Sequence, residues 1–208
     1  MFNIKYTYNS VRFIDNEFRL VNYIDYNHEE KDNLKDLINI YDGKLNTIGD
    51  KDYSLSSSWL KDIKNKNQLN KLKNNTYNYF KNILKSKAKN NMWTTILGKD
   101  DKKSEKVRIA LSGDGYARGF VPCNCRATNI YSEKNCIAYL LNRFLNPLDK
   151  GFFEDKGIVI NEELWALSEL IQFVWRSAIR NNEEIYLYIP SERMRNLLID
   201  YINNKLTF

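Results

Sequence analysis

Gln172, Arg176 and Arg180 recur at intervals of four within ALSELIQFVWRSAIRNNEE. At about 100° per residue, this spacing brings the three polar side chains within about 80° of one another on a helix. Beside them runs an apolar stripe of Leu164, Leu167, Ile171, Val174 and Ala178. Two guanidiniums so placed suit a phosphate, because each offers a planar fork of N–H donors and a permanent charge. The helix that must carry them is expected over residues 161–181, with Glu162 and Glu163 in its first turn, where acidic groups oppose the helix dipole. A strand is expected over 184–189, with Ile185, Leu187 and Ile189 facing one way and Tyr186 and Tyr188 the other, closed by Pro190. Ser191 then caps a second helix, on which Met194, Leu197, Leu198, Tyr201 and Ile202 form one face; Arg193 and Arg195 lie outside it, decorating a solvated helix or extending a basic nucleic-acid-binding surface next to Arg176. The competing reading of Arg176 and Arg180 is a pair of salt bridges with Glu169, Glu183 or Glu184.

A second group of candidate residues is lysine-rich. Between residues 59 and 89, Leu60, Ile63, Leu69, Leu72, Phe80, Ile83 and Leu84 recur at helical spacing, with a break expected near Asn74 and Asn75. Lysines fill the intervals. Lys71, Lys73, Lys81 and Lys85, with Tyr77 among them, could follow a nucleic-acid backbone while the ring offers a stacking surface. The plainer alternative is the solvated face of an amphipathic helix.

The elements that must position these groups read as a mixed chain. Residues 2–26 alternate apolar and polar positions, as an antiparallel unit does, and 28–40 read as a charged helix. Val107 to Leu111 read as a strand, Ser112–Gly115 as a turn, 120–125 as extended, and 135–144 as a helix ended by Pro147. Strand, helix, strand and helix across residues 107–204 make an α/β layer. Two regions are expected: a small α+β unit over 1–58, and an α/β region with its basic helix over 59–208.

Residues carrying a more specific likeness lie in this second region. Gln172-x-x-Trp175-Arg176-x-x-x-Arg180 resembles the last signature motif of superfamily 2 helicases, in which a glutamine and two arginines of the second RecA-like lobe face ATP held by the first. In that motif the second arginine usually follows the first by three residues; here it follows by four. With CNCRATN, AYLLNRFLNP and YIPSERMRNLL, the segment from about 90 to 202 is similar to the carboxy-terminal part of helicase-like replication proteins of low-GC phages and mobile elements. The resemblance implies a RecA-like carboxy-terminal lobe or its remnant. It also implies that Arg176 and Arg180 meet a γ-phosphate with Gln172 orienting them, and that Arg126, Thr128 and Asn129 couple nucleotide to nucleic acid. The phosphate-binding half of such an enzyme has no counterpart in the sequence. Gly98-Lys99 is followed by Asp100 and Gly43-Lys44 by Leu45, so neither completes a phosphate loop, and no acidic box follows an apolar strand.

Composition sets the remaining bounds. The 208 residues are 43% hydrophobic, enough for a packed core without staples, and 32 Lys and Arg against 26 Asp and Glu leave a net charge of +6. Cys123, Cys125 and Cys136 are too few and too unevenly spaced for a disulfide framework, and with His28 distant they lack a fourth zinc ligand. No apolar run approaches the roughly 20 residues that cross a bilayer. A cytoplasmic protein with no cofactor and no metal is the expectation. The Asp and Glu residues are too dispersed for a metal-dependent nuclease.

The resulting expectation is a protein that binds nucleic acid without self-sufficient catalysis and completes an ATPase site in a P-loop partner chain. The alternative is a non-catalytic adaptor or inhibitor of a host protein complex, such as a defence system.

Overall fold

A computed structural model describes residues 9–14, 17–22, 34–97, 101–125 and 129–205. Its centre is a four-stranded, wholly parallel sheet in the order β3-β6-β5-β4, comprising β3 (Ile38–Ile40), β4 (Asn91–Thr94), β5 (Cys136–Tyr139) and β6 (Ile185–Tyr188). The residues of β4 and β5 are all buried, so neither strand shows the apolar–polar alternation of a half-exposed one. Separately, β1 (Asn9–Ile14) and β2 (Glu17–Asn22) pair as an antiparallel hairpin from Asn9 opposite Asn22 to Ile14 opposite Glu17, within the expected antiparallel unit. The other residues of that unit, 2–8, 15–16 and 23–26, lie outside the described residues.

Register divides the sheet into two faces. Trp93, Ala138 and Tyr188 stand side by side on one face, and Thr94 and Tyr139 on the other. The first face is covered by α2 (Lys66–Asn78), by the π-turn Tyr79–Ile83 that continues it, and by the loop after α3 (Lys102–Leu111). There Tyr79 stacks on Tyr188 with ring centroids 5.2 Å apart, and Trp93 meets Tyr116 and Phe120 edge-on at 5.6 and 5.0 Å. The second face carries α5 (Glu162–Val174), whose Phe173 meets Tyr139 at 5.5 Å, with α6 (Glu192–Ile202) packed beside it. The short helices α1 (Ser57–Lys61) and α4 (Pro147–Glu154) flank the carboxyl ends of the strands. Gly49 fits because a Cβ there would lie 1.9 Å from the carbonyl oxygen of Pro190, pinning the β3–α1 connection against the end of β6.

The α/β expectation holds, and so do the strand around 185–188 and the helix capped by Ser191, whose Oγ accepts from the Met194 amide at 3.4 Å. Five expectations for the chain before α5 need correction. Residues 107–111 are the end of α3, not a strand: Asp101 caps its first turn, and Ser104, Val107 and Leu111 bury one helical face. Residues 135–144 contain β5 rather than a helix, since a short apolar run has no period that separates a buried strand from a helix. Pro147 starts a helix rather than ending one, occupying the first turn of α4 behind the Asn146 cap. Residues 38–40 leave the proposed amino-terminal helix to pair with β6. Finally, α2 runs unbroken through Asn74 and Asn75, where Asn75 Nδ2 donates to the Leu45 carbonyl at 3.0 Å.

One capping contact carries a stability test. The Asp101 carboxylate accepts from the Lys103 and Ser104 amides at 3.0 and 3.3 Å, from Ser104 Oγ at 2.6 Å, and pairs with Lys61 Nζ at 2.8 Å. The Lys61 and Ser104 contacts hold its carboxyl well below the usual range. A depressed acid stabilises the fold above its unfolded pKa, near 4, and loses that contribution as pH falls toward its folded value. Asp101→Ala is therefore expected to lower the midpoint of thermal unfolding at pH 7, and the gap to the natural chain narrows as pH falls below about 4.

Candidate functional site

The three phosphate-reading candidates are not presented together. Helix α5 stops at Val174, where Ser177 Oγ donates to the Val174 carbonyl at 2.6 Å and the Ala178 amide crosses to the Lys134 carbonyl at 2.9 Å. Gln172 is exposed on the last turn of α5. Beyond it, Arg176 turns inward: it is 6% exposed, its Nη1 donates to the Cys123 carbonyl at 3.4 Å, and its guanidinium lies 5.6 Å from the Phe173 ring. Burial pulls Arg176 below its ordinary pKa. Arg180 sits on a separate 3-10 turn, Ala178–Asn181, exposed and bonded through Nη1 to Asn129 Oδ1. Arg126 and Thr128 lie outside the described residues. Arg195 Nη1 donates to the Ile189 and Pro190 carbonyls at 3.0 and 3.3 Å, closing the end of β6. Arg193 is likewise committed within the fold, to Glu163 Oε1 at 3.0 Å, Asn142 Oδ1 at 2.9 Å and the Arg143 carbonyl at 2.6 Å.

The lysine-rich candidates are displayed differently. Leu69, Leu72 and Thr76 bury one side of α2. Lys71 is exposed on the opposite side, Tyr77 is 39% exposed, and the turn that follows exposes Lys81 and Lys85. Lys73 is half-buried beneath them, its carbonyl 3.4 Å from the Tyr116 hydroxyl. Among the described residues, none of the lysines between positions 63 and 98 enters an ion pair. The reason is compositional: residues 63–99 contain nine lysines and no Asp or Glu. Over residues 59–121 there are 15 Lys and Arg against 5 Asp and Glu, leaving 17 against 21 for the rest of the chain. The whole positive excess thus falls in the segment that builds β4 and covers one face of the sheet, and α5 on the other face carries three glutamates and no cation. The absence of acids from 63–99 was the signal available in the sequence.

A second feature lies at the carboxyl ends of β4 and β5. A cavity of about 900 Å3 opens there, lined by Tyr53, Ser57, Lys61, Asn142, Phe144 and Lys150 among others. Asn142 closes its floor, donating to the Asp52 carbonyl at 2.9 Å and accepting from Arg193. Lys150 Nζ lies 3.6 Å from Glu162 Oε2, and the other oxygen of Glu162 accepts the Leu145 amide at 2.9 Å. Arg143 reaches Glu169 Oε2 at 2.7 Å and lies 4.9 Å from the Trp165 ring. Sequence reasoning missed this site because the strand leading into it was read as a helix.

The described cysteines are free thiols, and burial raises Cys123 and pushes Cys136 up to about 11, so neither is a ready thiolate at neutral pH. Among the described residues no cluster of three or more His, Cys, Asp or Glu could hold a metal, and no helix is long and apolar enough to cross a membrane.

Comparison with known proteins places this arrangement. The model of the YonV C-terminal Rossmann-like domain family matches residues 32–202. The SPbeta prophage-derived uncharacterized protein YonV of Bacillus subtilis (strain 168) is 51% identical over 177 residues, which is 85% of this chain. The chain spans 40% of that relative's length. No solved structure matches.

Proposed function

This chain belongs to the YonV C-terminal Rossmann-like domain family, and we propose that it is a phage-derived module that binds nucleic acid through the acid-free surface of α2 and the turn after it, without stand-alone catalysis. One observation carries the reading: nine lysines and no carboxylate over residues 63–99, with none of the described lysines there neutralised by an ion pair. An unpaired cationic stripe attracts a polyanion by releasing its condensed counterions, and a half-exposed Tyr77 among the lysines offers a ring to an unpaired base.

Of the helicase resemblance, the proposal keeps nucleic-acid association and gives up the arginine pair as its basis, because Arg176 is spent inside the fold. Completing an ATPase site in another chain would require Arg176 to leave its contacts with the Cys123 carbonyl and the Phe173 ring. Titration of fluorescent single- and double-stranded DNA and RNA by anisotropy tests the reading. The expected result is binding whose log affinity falls linearly with log salt concentration, by about 0.7 per neutralised phosphate on single strands and about 0.9 on duplex DNA. No binding to any of these at low salt would overturn it. In that event a partner captured from a bacterial lysate and retained after nuclease treatment would favour the adaptor reading.

A further inference from the structure

We propose that the crevice at the carboxyl ends of β4 and β5 binds a nucleoside 5′-phosphate, either as a free nucleotide or as the phosphorylated end of a strand. Its position follows from the topology. The chain leaving β4 runs into α3 on the Trp93 side of the sheet, while the chain leaving β5 runs through α4 into α5 on the Tyr139 side. Where neighbouring parallel strands send their connections to opposite faces, their carboxyl ends part and leave a crevice, the usual ligand position in open α/β sheets. The volume of about 900 Å3 lies within the roughly 300–1,000 Å3 of small-molecule sites.

The lining offers two chemistries. Tyr53 is 72% exposed and its ring lies 5.6 Å from that of Phe144, which is itself held by the Arg193 guanidinium 4.4 Å from its centroid. An exposed ring backed by a second, fixed ring is a surface on which a base can stack. Ser57 and Ser58 are exposed residues that line the crevice with Lys61 and Lys150, and the Ser58 hydroxyl lies 3.2 Å from that of Ser56. Each ammonium has one carboxylate partner, at 2.8 Å for Lys61 and 3.6 Å for Lys150. Those contacts steady the head groups and leave N–H donors for an anion, since an ammonium carries three. Lys61, Arg143 and Lys150 all line the crevice, whereas of their carboxylate partners only Glu162 does; Asp101 and Glu169 lie outside the lining. Base stacking together with hydroxyl and cationic donors is the recognition pattern of a nucleoside phosphate. This site shares no lysine with the α2 stripe and does not depend on it.

The test uses the intact chain and two kinds of probe: mant-ADP and mant-UDP, and a 3′-fluorescein oligothymidine with either a 5′-phosphate or a 5′-hydroxyl. Saturable binding of a mant probe, displaced by the unlabelled nucleotide, is expected if the source is a free nucleotide. Tighter binding of the 5′-phosphorylated strand is expected if the source is a strand end. In either case Tyr53→Ala and Lys150→Glu, both at exposed or half-exposed positions, should each weaken the effect by about tenfold, while the combined Lys71→Glu, Lys81→Glu and Lys85→Glu variant retains mant-nucleotide binding. The proposal is overturned if a natively melting chain binds neither mant probe and ignores the 5′-phosphate, or if both crevice variants bind like the natural chain.

Discussion

Reversing the charge at Lys71, Lys81 and Lys85 together is expected to weaken single-stranded nucleic-acid binding by about 100-fold at low salt and to flatten the salt dependence by about 2 units of slope. Three cations that meet phosphates become three anions that repel them, so the loss exceeds that of neutralisation by alanine. The stability readout separates this from misfolding. All three side chains are exposed and none is in an ion pair, and the Lys81 stem passes Gly115 without a polar contact among the described residues. Substitutions at such exposed, unpaired positions usually move stability by less than about 0.5 kcal/mol. The expected outcome is a melting curve close to that of the natural chain with binding nearly gone. Unchanged affinity in a folded variant would show that the α2 stripe is only a solvated surface.

How far the sequence foretold this arrangement depends on what kind of signal each element carries. Helix α6 was legible because Ser191 caps it and its apolar positions repeat over three turns, and β6 because a strand between Glu184 and Pro190 has clear punctuation at both ends. Helix α5 was found at its start, where Asn161 Oδ1 accepts the Leu164 amide at 3.1 Å, but not at its end. The apolar period continues through Ala178, while the Ser177 hydroxyl bond to the Val174 carbonyl and the long-range bond from the Ala178 amide to Lys134 turn the chain away at Val174. That single displacement separates Arg176 from Arg180. β5 failed for a different reason, since a four-residue strand buried on both faces has no alternation to read. The crevice was therefore invisible, because it exists only when the ends of two non-adjacent segments are set side by side. By contrast the basic stripe is a property of local composition, which survives even where the helix boundaries are misjudged.

The largest effect on folding is expected at Trp93, whose indole is wholly buried in β4 between Tyr116 and Phe120. Trp93→Ala removes the largest fully buried side chain and should cost about 3–5 kcal/mol, a large part of the 5–15 kcal/mol that holds a typical domain together. Size alone would make Trp93→Phe costly as well. The indole Nε1, however, is buried without a hydrogen-bond acceptor among the described residues, so phenylalanine also removes an unsatisfied donor. That offsets part of the lost packing, because an unmet buried donor costs about 1–3 kcal/mol. Trp93→Phe should therefore stay folded with a loss of roughly 1 kcal/mol or less, measured by urea denaturation. A loss as large as that of alanine would mean that the indole N–H is satisfied in solution, by a buried water.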